Sequence, residues 1–509
     1  MMKKYRNLLL IIPFVITAFL FAQKIQFTTS DIGRHIKNGE TVLKGSNNLA
    51  TNFYSYTEPQ YPTVTHHWGA GVIYYLIWKL AGFKALTWLN IIVMLLALWF
   101  FFLSSRYEAS FGTAFLFTLL CLPLVAYRAE VRPETFSYLF FGLEWYLWIR
   151  FYHQKTGMKP LYVIPVIQAF WVNIHIFFIF GLFLIGVYAL YFVIRKEKKL
   201  FRAAVIILFL SVAASFISPY GYKAFLEPFR IFREYGYMIA ENQSILFMQK
   251  RFPATGTYTY FEILFGTGVV TFIWLAIRKQ WMDLLPRLLI FIVFAAFAWK
   301  MVRGIAVFGL IGIPVLSGNV QDILLQVKKP VMKIMRWIPV PVYLVILLLI
   351  LTANPLFVPK KQLTGTGLYE GSNASAAFYR NNHLHGPVFN NYDIGSYLIF
   401  HLFPAERVFT DNRPEAYPVS FFKDIYVPMQ EDDSIWVSMS RRYNINVIWF
   451  YRLDNTPWAQ PFLIRRIHDP LWAPVYVDAF TLILLKRVAE NQSLISRYEL
   501  PQSMFFVTH

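Results

Sequence analysis

Residues 7–39 read NLLLIIPFVITAFLFAQKIQFTTSDIGRHIKNG, and their reading decides the fold. An apolar span over 7–22 gives way to a polar, aromatic-rich loop. That loop carries Asp31, Arg34 and His35 near its start and His66, His67 and Trp68 near its end. Beyond it the chain returns to long apolar runs. About 20 apolar residues are needed to cross the hydrocarbon of a bilayer. A loop holding an acid, a base and paired histidines directly after such a span puts ionisable chemistry at the bilayer face.

Composition sets the same class. Hydrophobic residues make up 57% of the chain and charged residues 15%, against roughly 25% charged in soluble domains; the mean hydropathy is +0.45. With 50 Phe and 31 Tyr, the apolar surface exceeds what one soluble core hides, so lipid is part of the solvent. Cys121 is the only cysteine. That excludes an intrachain disulfide and a thiolate zinc site, and its apolar setting makes it a packing residue. The net charge of +20 sits in short basic clusters between apolar spans, as the positive-inside rule requires. With no nucleic-acid-binding motif present, nucleic acid is rejected as a partner.

Eleven spans are expected, near 7–22, 85–104, 112–127, 134–151, 158–174, 177–194, 201–217, 258–277, 284–299, 303–318 and 335–353. The stretch 68–83 is ambiguous. Laid flat on the surface, it leaves Lys3, Lys4, Lys155, Lys159, the Arg195–Lys199 cluster, Arg278, Lys279 and Lys328–Lys329 on the cytoplasmic side. The positive-inside rule therefore favours an interfacial helix there, as do its Trp and Tyr residues. The N-terminus is then cytoplasmic and the C-terminus external, with the first span retained as an anchor rather than cleaved as a signal peptide. On this topology Asp31–Trp68, Arg128–Glu134, the Asn173/His175 turn, Ser218–Phe252 with Glu241, and Lys300–Arg303 all fall outside.

The predicted fold is an α-helical polytopic membrane domain over 1–356, with its first external loop at 23–84, followed by a soluble extracytoplasmic α/β domain over 360–509. In the latter, 387–391, 407–411, 446–451 and 475–486 read as β segments, the last a hairpin around Asp478–Thr481. Residues 394–403, 419–426 and 435–443 read as helices. The alternation points to a largely parallel sheet. No Gly-rich phosphate loop follows a strand, so a nucleotide site is unsupported.

Several polar groups carry candidate chemistry. Asp31 has two readings: a carboxylate that accepts an acceptor's proton, with His35 four residues on, or a helix cap. His66, His67 and Trp68 read either as interfacial packing or as contacts to phosphate; two adjacent histidines alone are no metal signature. Arg128, Glu130, Arg132 and Glu134 read either as snorkelling side chains or as a phosphate-binding basic pair with carboxylates beside it. Asn173 and His175 interrupt a long apolar stretch, where polar groups are costly and tend to be functional. Lys300 and Arg303 flank a break between spans and are placed to hold a lipid phosphate. Asp411-Asn412-Arg413-Pro414-Glu415 follows a predicted strand, the place where α/β domains put ligand contacts; a salt-bridged turn is the alternative.

The run Asp31-Ile-Gly-Arg-His35-Ile-Lys-Asn-Gly39, then Phe53-Tyr54-Ser55-Tyr56-Thr57, then His67-Trp68 before an interfacial helix, resembles the first external loop of GT-C glycosyltransferases. That superfamily includes protein O-mannosyltransferases, aminoarabinose transferases and oligosaccharyltransferases. Arg132-Pro133-Glu134, Trp171-Val-Asn173-Ile-His175, Ser218-Pro219-Tyr220-Gly221, Glu241 and Asp411–Glu415 resemble a related group of bacterial membrane proteins. The resemblance implies a polyprenyl-phosphate-linked sugar donor and transfer, with inversion, to a cell-envelope acceptor outside the cytoplasm. It also implies an acid after the first span (Asp31) that serves the acceptor, assisted by His35 or Glu130, and basic residues such as Arg132, Lys300 or Arg303 on the donor phosphate. Arg34, His66, His67, Glu134, Asn173, His175, Glu241, Asp411 and Arg413 complete the expected substrate-binding set. The usual Asp-Asp or Asp-Glu pair is absent at Asp31, where Ile32 follows. Some members use a divalent ion and others do not, which leaves Mg or Mn as an optional cofactor. The alternatives are a lipid-linked-saccharide flippase or transporter, which would favour mid-span charges and symmetric halves, and a non-catalytic assembly protein.

Overall fold

The computed structural model describes residues 2–45, 49–153, 156–230, 233–278, 281–326, 339–352, 354–356 and 363–505. Lys155, Lys279 and Lys328–Lys329, which entered the topology argument, lie outside the described residues. Most of the chain is helical. Among the described residues, five helices are long and apolar enough to cross a bilayer by length and composition: Trp68–Glu108, Ile176–Ile194, Gly256–Arg278, Trp281–Lys300 and Gly304–Gln326. Ile11–Phe21, Phe111–Ala126 and Pro341–Ile350 are shorter apolar helices. Three further expected spans are also helical, but Val163–Trp171 is only 9 residues long and Lys198–Ala214 is 17, while Glu134–Tyr152 carries Glu134, Glu144 and Arg150.

The chain divides into two compact units. One comprises Met1–Gln23, Thr87–Pro228 and Ile239–Thr366, the other Lys24–Leu86, Phe229–Met238 and Gly367–His509. The first loop thus groups with the C-terminal residues, although hundreds of residues separate them in sequence.

In the first unit, small residues let apolar helices approach closely, as in membrane bundles generally. A Cβ on Gly309 would stand 2.9 Å from Leu124 Cβ, and one on Gly312 would stand 3.1 Å from Cys121 Sγ. Cys121 is fully buried and packs against Gly312.

The second unit begins with the loop. Its helix α1, Ile32–Leu43, starts where Ser30 Oγ accepts from Ile32 N at 3.3 Å. It ends at Gly45, whose φ of +65° suits glycine. Helix α2, Trp68–Glu108, is broken at Ala81 and Gly82, where Gly82 adopts φ 68° and ψ −163°. The break falls where the sequence separates the 68–83 helix from the span that begins at 85. Helix α1 is clamped on two sides. A Cβ on Gly33 would meet Ser396 O at 2.7 Å, and one on Gly39 would meet Gly71 O at 2.1 Å and Tyr75 Cβ at 2.8 Å. Gly39→Ala is therefore expected to cost about 1–3 kcal/mol by overpacking, seen as a lowered midpoint of thermal unfolding in detergent. Gly112→Ala, where the added Cβ meets nothing within 4 Å, is the matched control and should not fall. A Gly39→Ala midpoint equal to the control's would contradict this packing.

The sheet has four strands: β1 Val388–Asn390, β2 Val447–Tyr451, β3 Trp472–Val477 and β4 Thr481–Lys486, in the order β1-β2-β4-β3. The expectation of a largely parallel sheet is corrected here. Only β1 and β2 run parallel; β2–β4 and β3–β4 are antiparallel, because β3 and β4 form a hairpin that reverses the chain. Asp478 Oδ1 closes that hairpin, accepting from Phe480 N and Thr481 N at 2.8 and 2.7 Å. The expected strand at 407–411 contributes only isolated parallel bridges, Val388↔Val408 and Ser55↔Val408. Through the second bridge the loop motif Phe53–Thr57 pairs beside the sheet: Tyr56 N donates to Val408 O and Val408 N to Tyr54 O. Phe389, Phe409, Trp436, Phe450 and Phe462 fill the core behind it.

Candidate active site

Parallel segments end at the same edge of a sheet, and α/β folds gather their ligand groups beyond the C-terminal ends of such strands. The second unit does this with three segments. Asp393 follows β1, Asp454 follows β2, and Asp411-Asn412-Arg413 follows the 408 bridge segment. Asn391 ties the first two together, donating through Nδ2 to Asp454 Oδ2 at 2.8 Å while Oδ1 accepts from Tyr451 N at 2.9 Å. Thr456 N donates to Asp454 Oδ1 at 2.8 Å. Asp31 arrives from the first loop. It heads α1 without a side-chain capping hydrogen bond. Instead its Oδ1 accepts from Asn412 Nδ2, with Arg34 Nη2 4.0 Å away. Arg34 Nε also donates to Asn412 Oδ1 at 3.3 Å.

Burial and the carboxylates of Asp454 and Asp31 push the Asp393 carboxyl up to about 7. Its pKa in an unfolded chain is about 4. The stability this group contributes is therefore fully present below about pH 4 and is lost as pH rises through 7. Asp393→Asn keeps the neutral shape and should escape that loss. Its unfolding midpoint relative to the unmodified protein should rise between pH 5 and pH 8; a gap that stays constant over this range would contradict the assignment.

Asp411, expected as a ligand contact, forms the buried salt-bridged turn that was the alternative. Its Oδ1 and Oδ2 accept from Arg413 Nε and Nη2 at 2.8 Å each, and Tyr417 OH donates to Oδ2 at 3.1 Å. Burial pushes this carboxyl up, but Arg413 outweighs it and the net direction is down. Arg413 Nη2 also donates to Asn52 Oδ1 at 2.7 Å, so the turn braces the first loop. The histidines cluster. His66 and His67 rings lie 3.8 Å apart, and His35 stands edge-on to His67 at 5.2 Å. His35 thus joins the two histidines that close the loop.

The first unit holds a separate charged group. Arg128 donates through Nε and Nη2 to Glu134 at 2.6 and 3.2 Å. Its Nη1 lies 2.9 Å from Glu241 Oε1. Arg132 Nη1 is 2.8 Å from the same oxygen, and Arg303 Nη2 is 3.2 Å from Oε2. Burial pushes the Glu241 carboxyl up, yet the three guanidiniums prevail and hold it well below the usual carboxylate range. Conversely, burial lowers Arg128, but Glu134 and Glu241 outweigh it and raise it well above its ordinary value. The run Arg128–Glu134 is held in place by Asn90, whose Nδ2 donates to Ala129 O at 2.9 Å and to Glu130 O at 3.4 Å.

Other expected residues lie elsewhere in this unit. Asn173 Nδ2 donates to Ala169 O and Ile217 O at 2.8 and 2.7 Å. His175 Nδ1 lies 3.0 Å from Ser137 Oγ and accepts from Phe177 N at 3.4 Å. Both hold the helix break that they occupy. Lys300 is exposed at the end of Leu285–Lys300. Asp393 and Asp454 escape the sequence reading; the one signal is an acid two residues beyond the predicted strand 387–391 and another three residues beyond 446–451.

No protein-family model matches the chain, and the curated proteins include no match. Solved structures do match. The oligosaccharyltransferase AglB of Archaeoglobus fulgidus, in complex with an inhibitory peptide and a dolichol-phosphate, aligns with a TM-score of 0.61 at 11% identity, covering 93% of this chain and 73% of that one. The Archaeoglobus fulgidus oligosaccharyltransferase with zinc and sulfate gives 0.57 at 12%, covering 94% and 73%. ArnT from Cupriavidus metallidurans, bound to undecaprenyl phosphate, gives 0.54 at 12%, covering 96% and 98%. At these identities the likeness concerns the fold alone: this chain shares the fold of that oligosaccharyltransferase and of ArnT.

Proposed function

We propose that the protein transfers a sugar from a polyprenyl-phosphate-linked donor to an extracytoplasmic acceptor of the cell envelope (lipid, glycan or protein), with inversion. In this reading the chain crosses a bacterial cytoplasmic membrane about eleven times, with its N-terminus cytoplasmic and residues 360–509 outside. The acceptor oxygen or nitrogen attacks the anomeric carbon, the carbon–oxygen bond to the polyprenyl phosphate breaks, and the acceptor's proton passes to Asp31. Guanidiniums of the Arg128, Arg132 and Arg303 group neutralise the departing phosphate. His35 and Glu130 are auxiliary.

The supporting observation is the setting of Asp31. This carboxylate follows the first apolar span and is oriented by Asn412 rather than spent on capping its own helix. Its nearby acid is Asp393, supplied from the C-terminal residues, where the resemblance would place one at position 32. A metal fits less well. Among the described residues, no three His, Cys, Asp or Glu side chains stand together so as to hold an ion, and the steps above use protein groups. The test is single-turnover transfer from a panel of radiolabelled polyprenyl-phosphate sugars to envelope extract. Release of label from one donor is expected. Tight lipid binding without release from any would overturn the reading in favour of a flippase or an assembly protein.

A further inference from the structure

The arginine group of the first unit is already full. Arg128, Arg132 and Arg303 all point at one carboxylate, Glu241, within 2.8–3.2 Å. Glu134 occupies the other edge of Arg128, and Glu130 acts on Arg128 at longer range. Three guanidiniums are thus matched by three carboxylates, and the group has no charge to spare for an incoming anion. Guanidinium forks bind carboxylate and phosphate with the same bidentate geometry. A phosphate monoester offers three acceptor oxygens and a larger charge than a carboxylate.

We infer that Glu241 is a built-in anion that occupies the phosphate cradle of Arg128, Arg132 and Arg303 and must swing out before a polyprenyl phosphate can seat there. The inference rests on the donor-phosphate role proposed above. The backbone is already anchored for such a swing: Val302 N donates to Gln243 O at 3.0 Å and Arg303 N to Glu241 O at 3.3 Å. Only the side chain need move. Its side chain is 25% exposed, so it has room to move toward solvent, whereas the side chain of Glu134, 5% exposed, stays as the fixed counter-ion. With Glu241 out, the cradle gains one net positive charge where the phosphate arrives. With Glu241 in, it remains ordered and neutral between turnovers. The side chain thereby sets how tightly the donor, and equally the polyprenyl phosphate product, is held.

The experiment measures binding of farnesyl phosphate and, separately, of inorganic phosphate to the full chain in detergent, for unmodified protein, Glu241→Gln and Arg132→Gln. Glu241→Gln should bind farnesyl phosphate about tenfold more tightly, a change of about 1.4 kcal/mol. It should also have a lower unfolding midpoint without ligand, because its guanidiniums lose their partner, and show a larger ligand-induced rise than the unmodified protein. Glu241→Asp, which retracts the carboxylate by one methylene, should fall between the two and serves if Glu241→Gln does not fold. Farnesyl phosphate affinity that is unchanged or weaker in Glu241→Gln, with Arg132→Gln still impaired, overturns the inference and leaves the phosphate role standing. Farnesyl phosphate affinity unaffected by Arg132→Gln as well overturns both. Tighter inorganic phosphate binding alone, without a farnesyl phosphate effect, also overturns it, since the cradle would then serve a free anion rather than a lipid headgroup.

Discussion

An Asp31→Asn protein is expected to fold, to bind polyprenyl-phosphate sugar, and to transfer it 10²–10⁴-fold more slowly, the range in which a positioned general base contributes. The substitution is nearly isosteric. Its side-chain oxygen can still accept from Asn412 Nδ2, and no capping hydrogen bond is lost because Asp31 makes none. Stability should therefore change only through the titration of Asp393, and the loss should appear in kcat rather than KM. A second signature separates chemistry from structure. Asp31 is one of two carboxylates that raise the Asp393 carboxyl, so its neutralisation should lower the midpoint of the Asp393-dependent change in stability. Full turnover by a folded Asp31→Asn protein would remove Asp31 from the mechanism. Unchanged Asp393 titration would remove the pairing.

Arg128→Gln should be the most damaging single change to stability. The Arg128 side chain is 7% exposed and its guanidinium pairs through two hydrogen bonds with Glu134, whose side chain is 5% exposed, while also facing Glu241. Breaking a buried pair by removing one partner leaves an uncompensated charge and costs about 3–5 kcal/mol. Arg132→Gln should cost far less: Arg132 is 27% exposed, and Glu241 keeps two other guanidiniums. Chemical unfolding in detergent measures both. Arg128→Gln/Glu134→Gln should recover part of the loss, because both members of the pair are then neutral. An Arg128→Gln loss under about 1 kcal/mol, well below the range for a broken buried pair, would mean that this network is solvated and its charges are not buried together.

Much of this molecule is written locally. The apolar runs, the break between the 68–83 helix and the next span, the hairpin at Asp478–Thr481 and the candidate residues Asp31, Arg132, Glu241 and Arg303 follow from hydropathy, turn chemistry and the rarity of charge beside apolar spans. Asp411 shows the limit of that reading. In sequence it is an acid after a strand, and only its partners Arg413 and Tyr417 identify it as a brace. Asn173 and His175 are similar: polar residues amid apolar ones, whose hydrogen bonds go to Ala169, Ile217, Ser137 and Phe177 around a helix break.

The sequence by itself determined that the chain is a membrane protein, where its polar loops lie and that an acid follows the first span. Those properties depend on free energies of transfer summed over neighbouring residues, which any window of the chain carries. Only the tertiary structure decided that Asp31 meets Asn412 across 381 residues, that Asp393 and Asp454 share an edge, that one strand pair alone runs parallel, and that three arginines close on Glu241. Such pairings are selected by how whole helices and strands pack and in which direction they run. That choice has no local period for a sequence to display.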